Sequence, residues 1–92
     1  MIQTSDRVDW MRNNVGVAHY PDGSVVRYGC GGPGGSDLLG VQRGTGRLIA
    51  CECKSAAGRV RPEQEQFLAR MRAAGAIALV ARSVEDVLEA LR

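Results

Sequence analysis

The periodicity of apolar residues first turns helical near residues 58–62, and that change limits the possible folds more than any other feature. Upstream, apolar residues come in short β-prone runs separated by turn chemistry. Residues 15–20 (VGVAHY) and 24–28 (SVVRY) flank Pro21-Asp22-Gly23, a strong turn signal. Residues 38–42 (LLGVQ) and 47–54 (RLIACECK) flank Arg43-Gly44-Thr45-Gly46, which reads as a hairpin. Downstream, Gln64, Phe67, Leu68 and Met71 recur at helical spacing. Pro62 suits the first position of that helix and Gly75 its end. Residues 76–81 (AIALVA) form a short continuous apolar run, as a buried strand requires. Ser83 then caps a final amphipathic helix carrying Val84, Val87, Leu88 and Leu91. The predicted order is β-β-β-β-α-β-α. This is an α/β fold, a mixed sheet flanked by helices, with a right-handed crossover in its last β-α-β unit.

Ninety-two residues suffice for one domain, 1–92, and not for two. No apolar run approaches the ~18 residues that span a bilayer. The first fourteen residues lack the apolar centre of a signal peptide, so the expected location is the cytoplasm. Cys30, Cys51 and Cys53 are odd in number and show no CxxC spacing, which argues against a disulfide scaffold. Zinc held by the cysteines with His19 is an alternative whose spacing matches no usual zinc pattern; small core residues are the preferred reading. The chain carries a net charge of only +2, but unevenly. From Arg27 to Arg61, six basic residues stand against Asp37 and Glu52 alone, a net of +4. Such a segment suits a polyanion-binding surface around a small acidic site. Its alternative is a solvated arginine-rich face.

The glycine-rich segment 29–35 has the spacing of a dinucleotide fingerprint at Gly29, Gly31 and Gly34. That fingerprint needs a helix directly after it, whereas Pro33 interrupts it and a strand-like run follows. No Gly-Lys-Ser/Thr closes the segment as a phosphate-binding loop would. It reads as a flexible turn, or as a place where backbone approaches a ligand closely. The hairpin after it is more informative. With Gly44 and Thr45 as the turn, Arg43 pairs with Gly46, and the same register sets Asp37 directly opposite Glu52. Their Cβ atoms then lie ~4.5–5.5 Å apart, where like charges repel. A divalent cation turns that repulsion into a site, and hard oxygen ligands favour magnesium or manganese over zinc. Alternation puts Glu52 and Lys54 on one face, with Ile49, Cys51 and Cys53 on the other, beneath the helices. Lys54 is the only lysine among twelve basic residues. A compact ammonium at this one position suggests a specific task, such as holding a water or a phosphate oxygen; an ordinary Glu-Lys neighbour pair is the alternative. Gln64 falls on the helix face turned to the sheet, where its amide either points into the site or satisfies a buried backbone group.

With GGSDLLG, ECK, the downstream Gly58-Arg59, PEQEQF and the closing AAGAIALVARSVEDVLEAL, the chain resembles the virus-type replication-repair nuclease (VRR-NUC) domain over about Asn13 to Leu91. That domain belongs to the PD-(D/E)xK nucleases, whose fold is restriction-endonuclease-like. The resemblance implies metal ligation by Asp37, Glu52 and the Cys53 backbone carbonyl, with Mg2+ or Mn2+ as the cation. It implies that Lys54 positions the attacking water and that Gln64 completes the site. The function implied is a metal-dependent DNA endonuclease, resembling Holliday junction resolvases, homodimeric, acting on branched or junction DNA in a bacterial or phage-infected cell. Alternatives are a flap or nicking nuclease with the same site, and a catalytically weak nucleic-acid-binding subunit. Arg43, Arg47, Arg59 and Arg61 are the expected phosphate contacts. Two features depart from the family. Its usual first helix, with an acidic residue leaning into the site, has only about a dozen residues here to supply it; Asp6 and Asp9 are the candidates, and one flank of the sheet is expected to lie open. Arg61 also stands where Ser or Thr commonly caps a helix, which weakens that helix start by about 1 kcal/mol.

Overall fold

The computed structural model describes residues 4–92. Its elements are β1 (Val8–Arg12), β2 (Gly16–His19), β3 (Val25–Tyr28), β4 (Leu38–Gln42), β5 (Leu48–Cys53), α1 (Pro62–Ala73), β6 (Ile77–Ala81) and α2 (Val84–Ala90). Strands β1, β4, β5 and β6 form one sheet in that order, and β2 and β3 form a separate hairpin. In the larger sheet β1–β4 and β4–β5 are antiparallel and β5–β6 is parallel. The mixed α/β architecture expected from the sequence is therefore present, with one strand more.

That additional strand is β1. Only Val8 and Trp10 mark its inward face, too short an alternation to stand out beside the longer runs. Val8 is fully buried, and the Trp10 indole donates to Thr4 Oγ1 at 2.8 Å. Strand β1 lies along β4, so the flank expected to be open carries a strand.

A helix packs on each face of the sheet because β5 lies between two strands and buries both its faces. Ile49 and Cys51 join Val8, Ala81, Val87 and Leu91 in the layer under α2. Ala50, between them in sequence, points the other way and joins Phe67, Leu68 and Ala78 under α1. Helix α1 ends on Gly75, whose φ of 102° only glycine adopts freely. The Ala76 N–H then closes back on the Met71 carbonyl at 3.0 Å, the outer bond of a Schellman motif. At α2 the Ser83 hydroxyl accepts from Asp86 N–H, as its capping role requires. Among the described residues no helix is long and apolar enough to cross a membrane.

The β4–β5 connection differs in shape from the two-residue turn expected, although the register is the same. Gln42 N–H donates to Arg47 O at 2.8 Å and Gly46 N–H to Gln42 O at 2.9 Å, so Arg43–Gly46 form a four-residue loop. Both loops are symmetric about the same point. The ladder therefore still pairs Leu38 with Cys51, which sets Asp37 against Glu52 one step beyond.

The alternation of β1 has a direct test. Val8→Asp buries an unpaired charge and is expected to remove ~3 kcal/mol or more, much of the ~5–15 kcal/mol of a typical domain. Met11→Asp, on the exposed side, is expected to stay within ~0.5 kcal/mol of wild type by urea denaturation.

Candidate active site

Four strand ends and the first turn of α1 meet at one edge of the sheet. Asp37 directly precedes β4. Its carbonyl accepts from Asn13 N–H at 2.8 Å, and its Oδ2 accepts from Cys53 N–H at 3.2 Å. Glu52, in β5, is only 2% exposed, on the α1 face with Ala50. Its Oε1 accepts from Gln64 Nε2 at 2.9 Å and faces Lys54 Nζ at 3.7 Å. Its Oε2 is buried with no hydrogen-bond partner. Burial raises the Glu52 carboxyl above the ordinary glutamate range, and the adjacent Asp37 charge adds to it; Lys54 acts in the opposite direction. Two neighbouring carboxylates with one orphaned buried oxygen form a donor set that fits a hard divalent cation.

Gln64 performs both tasks that its position allowed. Its Oε1 accepts from Arg61 N–H at 2.9 Å while its Nε2 holds Glu52. A guanidinium has no acceptor, so Arg61 cannot cap α1 by its side chain. Gln64 ties down the helix start from inside, and that same bond orients the amide toward the carboxylate.

The glycine segment brings this turn of α1 against the strand ends. Gly34 has φ 90°, and a Cβ there would sit 2.2 Å from the Glu63 carbonyl oxygen. A Cβ on Gly31 would strike the Phe67 ring. At these positions the close approach is therefore to the protein's own helix and not to a ligand. Asn13 fastens the segment at both ends: its amide donates to the carbonyls of Cys30 and Ser36, and its Oδ1 accepts from Cys30 N–H, each at 2.9 Å. The sequence reading did not single out Asn13. The one available signal was a polar residue ending a β-prone stretch ahead of a long glycine run.

Several expected site residues lie elsewhere. Arg43 and Arg47 are at the opposite end of β4 and β5, roughly 17–20 Å along the strands from the carboxylates. There Arg43 Nε donates to Ser5 O and Arg47 Nε to Gly75 O. Arg61 and Arg59 belong to the exposed connection leading into α1, beside the site, and Arg61 pairs with Glu63 at 3.4 Å. Asp6 is exposed in the turn before β1. Asp9 pairs with Val41, about 13 Å along the strand from Asp37, so neither approaches the carboxylates. Of the three cysteines only Cys51 is a core residue; burial, then neighbouring Cys53, pushes its thiol up to about 12. Cys53 is exposed because it ends β5 beyond the helix cover, and Cys30 because it lies in the glycine segment. His19 is exposed in the separate hairpin. Among the described residues no three His, Cys, Asp or Glu side chains converge as a metal-binding group.

The same edge opens into a cleft of about 350 Å³ between the β2–β3 hairpin, the glycine segment and the start of α1. Asp37, itself exposed, and the buried Gln64 line it together with Arg27 and Arg61.

A sequence profile of the VRR-NUC domain matches residues 11–85. No curated protein and no solved structure matches the chain.

The strain between the carboxylates is measurable without any substrate. In Glu52→Gln the amide nitrogen replaces the orphaned oxygen and donates toward Asp37. Thermal unfolding in EDTA is expected to rise by about 5 °C, the equivalent of ~1 kcal/mol for a domain of this size. An unchanged or lower midpoint would mean that the two carboxylates do not oppose each other in the folded chain.

Proposed function

The chain belongs to the VRR-NUC domain family, and from that premise we propose that it is a divalent-metal-dependent DNA endonuclease whose reaction centre is Asp37, Glu52, Lys54 and Gln64. The family supports a nuclease of the PD-(D/E)xK type. The observation that carries the reading to these residues is the buried, unpartnered Glu52 Oε2 beside Asp37. Asp37, Glu52 and the Cys53 carbonyl would hold Mg2+ or Mn2+. When bound, the cation supplies Lewis-acid stabilisation of charge on the phosphodiester. The remaining work belongs to the chain. Gln64 keeps Glu52 in place. Lys54, 19% exposed, has its ammonium within reach of both Glu52 and solvent, so it can hold the attacking water or a phosphate oxygen. Arg59 and Arg61 are the phosphate contacts nearest the centre. Arg43 and Arg47, on this reading, can meet only a distant part of a long substrate.

Branched DNA as the preferred substrate and a homodimer as the acting form belong to the same proposal, as does a cytoplasmic location. Pairing has a surface to use. A two-stranded hairpin is marginal by itself, and here Val26 and Tyr28, which share the face of β3 opposite Arg27, are each about half exposed. A two-fold axis would present one reaction centre to each of two strands of a junction.

Incubation with linear, flap and four-way DNA, with and without Mg2+ or Mn2+, tests the reading. Cleavage is expected only with the cation, and Asp37→Ala or Glu52→Ala should abolish it while DNA binding persists. Light scattering of the same preparation should report about twice the chain mass. Wild-type rates in either variant would remove the centre. A monomer that nicks one strand would leave a flap or nicking nuclease.

A further inference from the structure

The cleft beside Asp37 has a composition that phosphate binding alone does not explain. Val17 and Arg27 are cross-strand partners in the β2–β3 hairpin, so their side chains share a face. Val15, two residues earlier, belongs to the same face, and Pro33 stands on the glycine segment across the gap. An apolar surface thus lies next to an exposed guanidinium, whose plane a nucleobase can stack on. Glu63 also lines the cleft and carries a charge that disfavours a second phosphate there, while offering an acceptor to a base amino group. Its pairing with Arg61 is between exposed groups and is weak, so Arg61 is available to a backbone phosphate at the rim.

Size narrows the occupant. A volume of about 350 Å³ is near the lower end of ligand pockets, which run from about 300 to 1,000 Å³. A single base fits within that volume. One wall cannot yield readily, because Gly34 is already in backbone contact with α1. A base still paired in a duplex cannot enter a concave site of this kind, whereas an unpaired base can swing out of the stack into it. Asp37, on the cleft lining, joins the cleft to the carboxylate pair.

We propose that this cleft receives the base of a single unpaired DNA nucleotide adjoining the phosphate to be cut, with the Arg27 guanidinium stacked on it. The inference rests on the nuclease reading and adds a physical basis for selecting branched DNA, since branch points leave nucleotides unpaired. Arg27 acts here as a specificity residue.

The test uses the full chain and duplexes carrying one unpaired 2-aminopurine, or an abasic residue at the same place, without divalent cation so that the DNA stays intact. Binding should quench the 2-aminopurine, and the base-bearing DNA should bind about tenfold more tightly than the abasic one. Arg27→Ala should erase that difference, as should Val17→Trp, which fills the cleft from the strand. Arg27→Lys keeps the charge without the plane, and should keep affinity for abasic DNA while losing the preference. Equal affinity for the two DNAs, or a preference that survives both Arg27→Ala and Val17→Trp, would overturn the inference and leave the nuclease reading standing. Failure to bind any DNA would overturn both.

Discussion

Two carboxylates face each other across the β4–β5 pair, and one of them has been taken almost wholly out of water. Glu52 sits in the central strand, between β4 and β6 and beneath α1, so its burial follows from where the sheet needs a strand. Its repulsion with Asp37 follows from a hairpin register that the chain cannot shift. A slip of one residue would turn Ile49 and Cys51 out of the layer under α2 and Ala50 out of the layer under α1. The core therefore holds the charged pair in place. Natural sequences tolerate local conflicts of this kind where function requires them.

The supporting residues contribute because each is anchored twice. Gln64 bridges the Arg61 amide and Glu52, so the start of α1 and the carboxylate move together. The Asn13 side chain ties the Cys30 and Ser36 ends of the glycine segment while its backbone N–H donates to the Asp37 carbonyl. On the far side, Arg82 donates to the carbonyls of Ser55 and Gly58 and closes the turn that follows Lys54. The lysine thus lies between a strand end and a clamped turn. Three polar side chains from distant parts of the chain fix the strand ends around a group whose charge those ends must bear.

The parts legible in the sequence were those set by local period and symmetry. Period 3.6 located α1, its glycine stop located the end, and the short run at 76–81 located β6. The Asp37–Glu52 register was legible because a two-residue and a four-residue loop share one centre; the loop's shape itself was not. Strand β1 was missed because only Val8 and Trp10 declare it, and an edge strand needs no more. The cysteines misled because alternation states which side a residue faces but not where helix cover stops, which is just before Cys53. Sequence proximity made Arg43 and Arg47 look like neighbours of the site, yet a hairpin carries its loop to the far end of the strands. Asn13 was beyond local reasoning, since its bonds span 17 and 23 residues.

A cation bound between Asp37 and Glu52 is the central requirement, and paramagnetic Mn2+ reports that position directly. With isotopically labelled protein, substoichiometric Mn2+ should broaden the Cys53 backbone amide and the Gln64 side-chain amide first. The amides of Thr45 and Gly75, at the other end of the sheet, should stay sharp. Broadening centred instead on the acidic surface of α2 around Glu85 and Glu89, with Cys53 and Gln64 untouched, would contradict it.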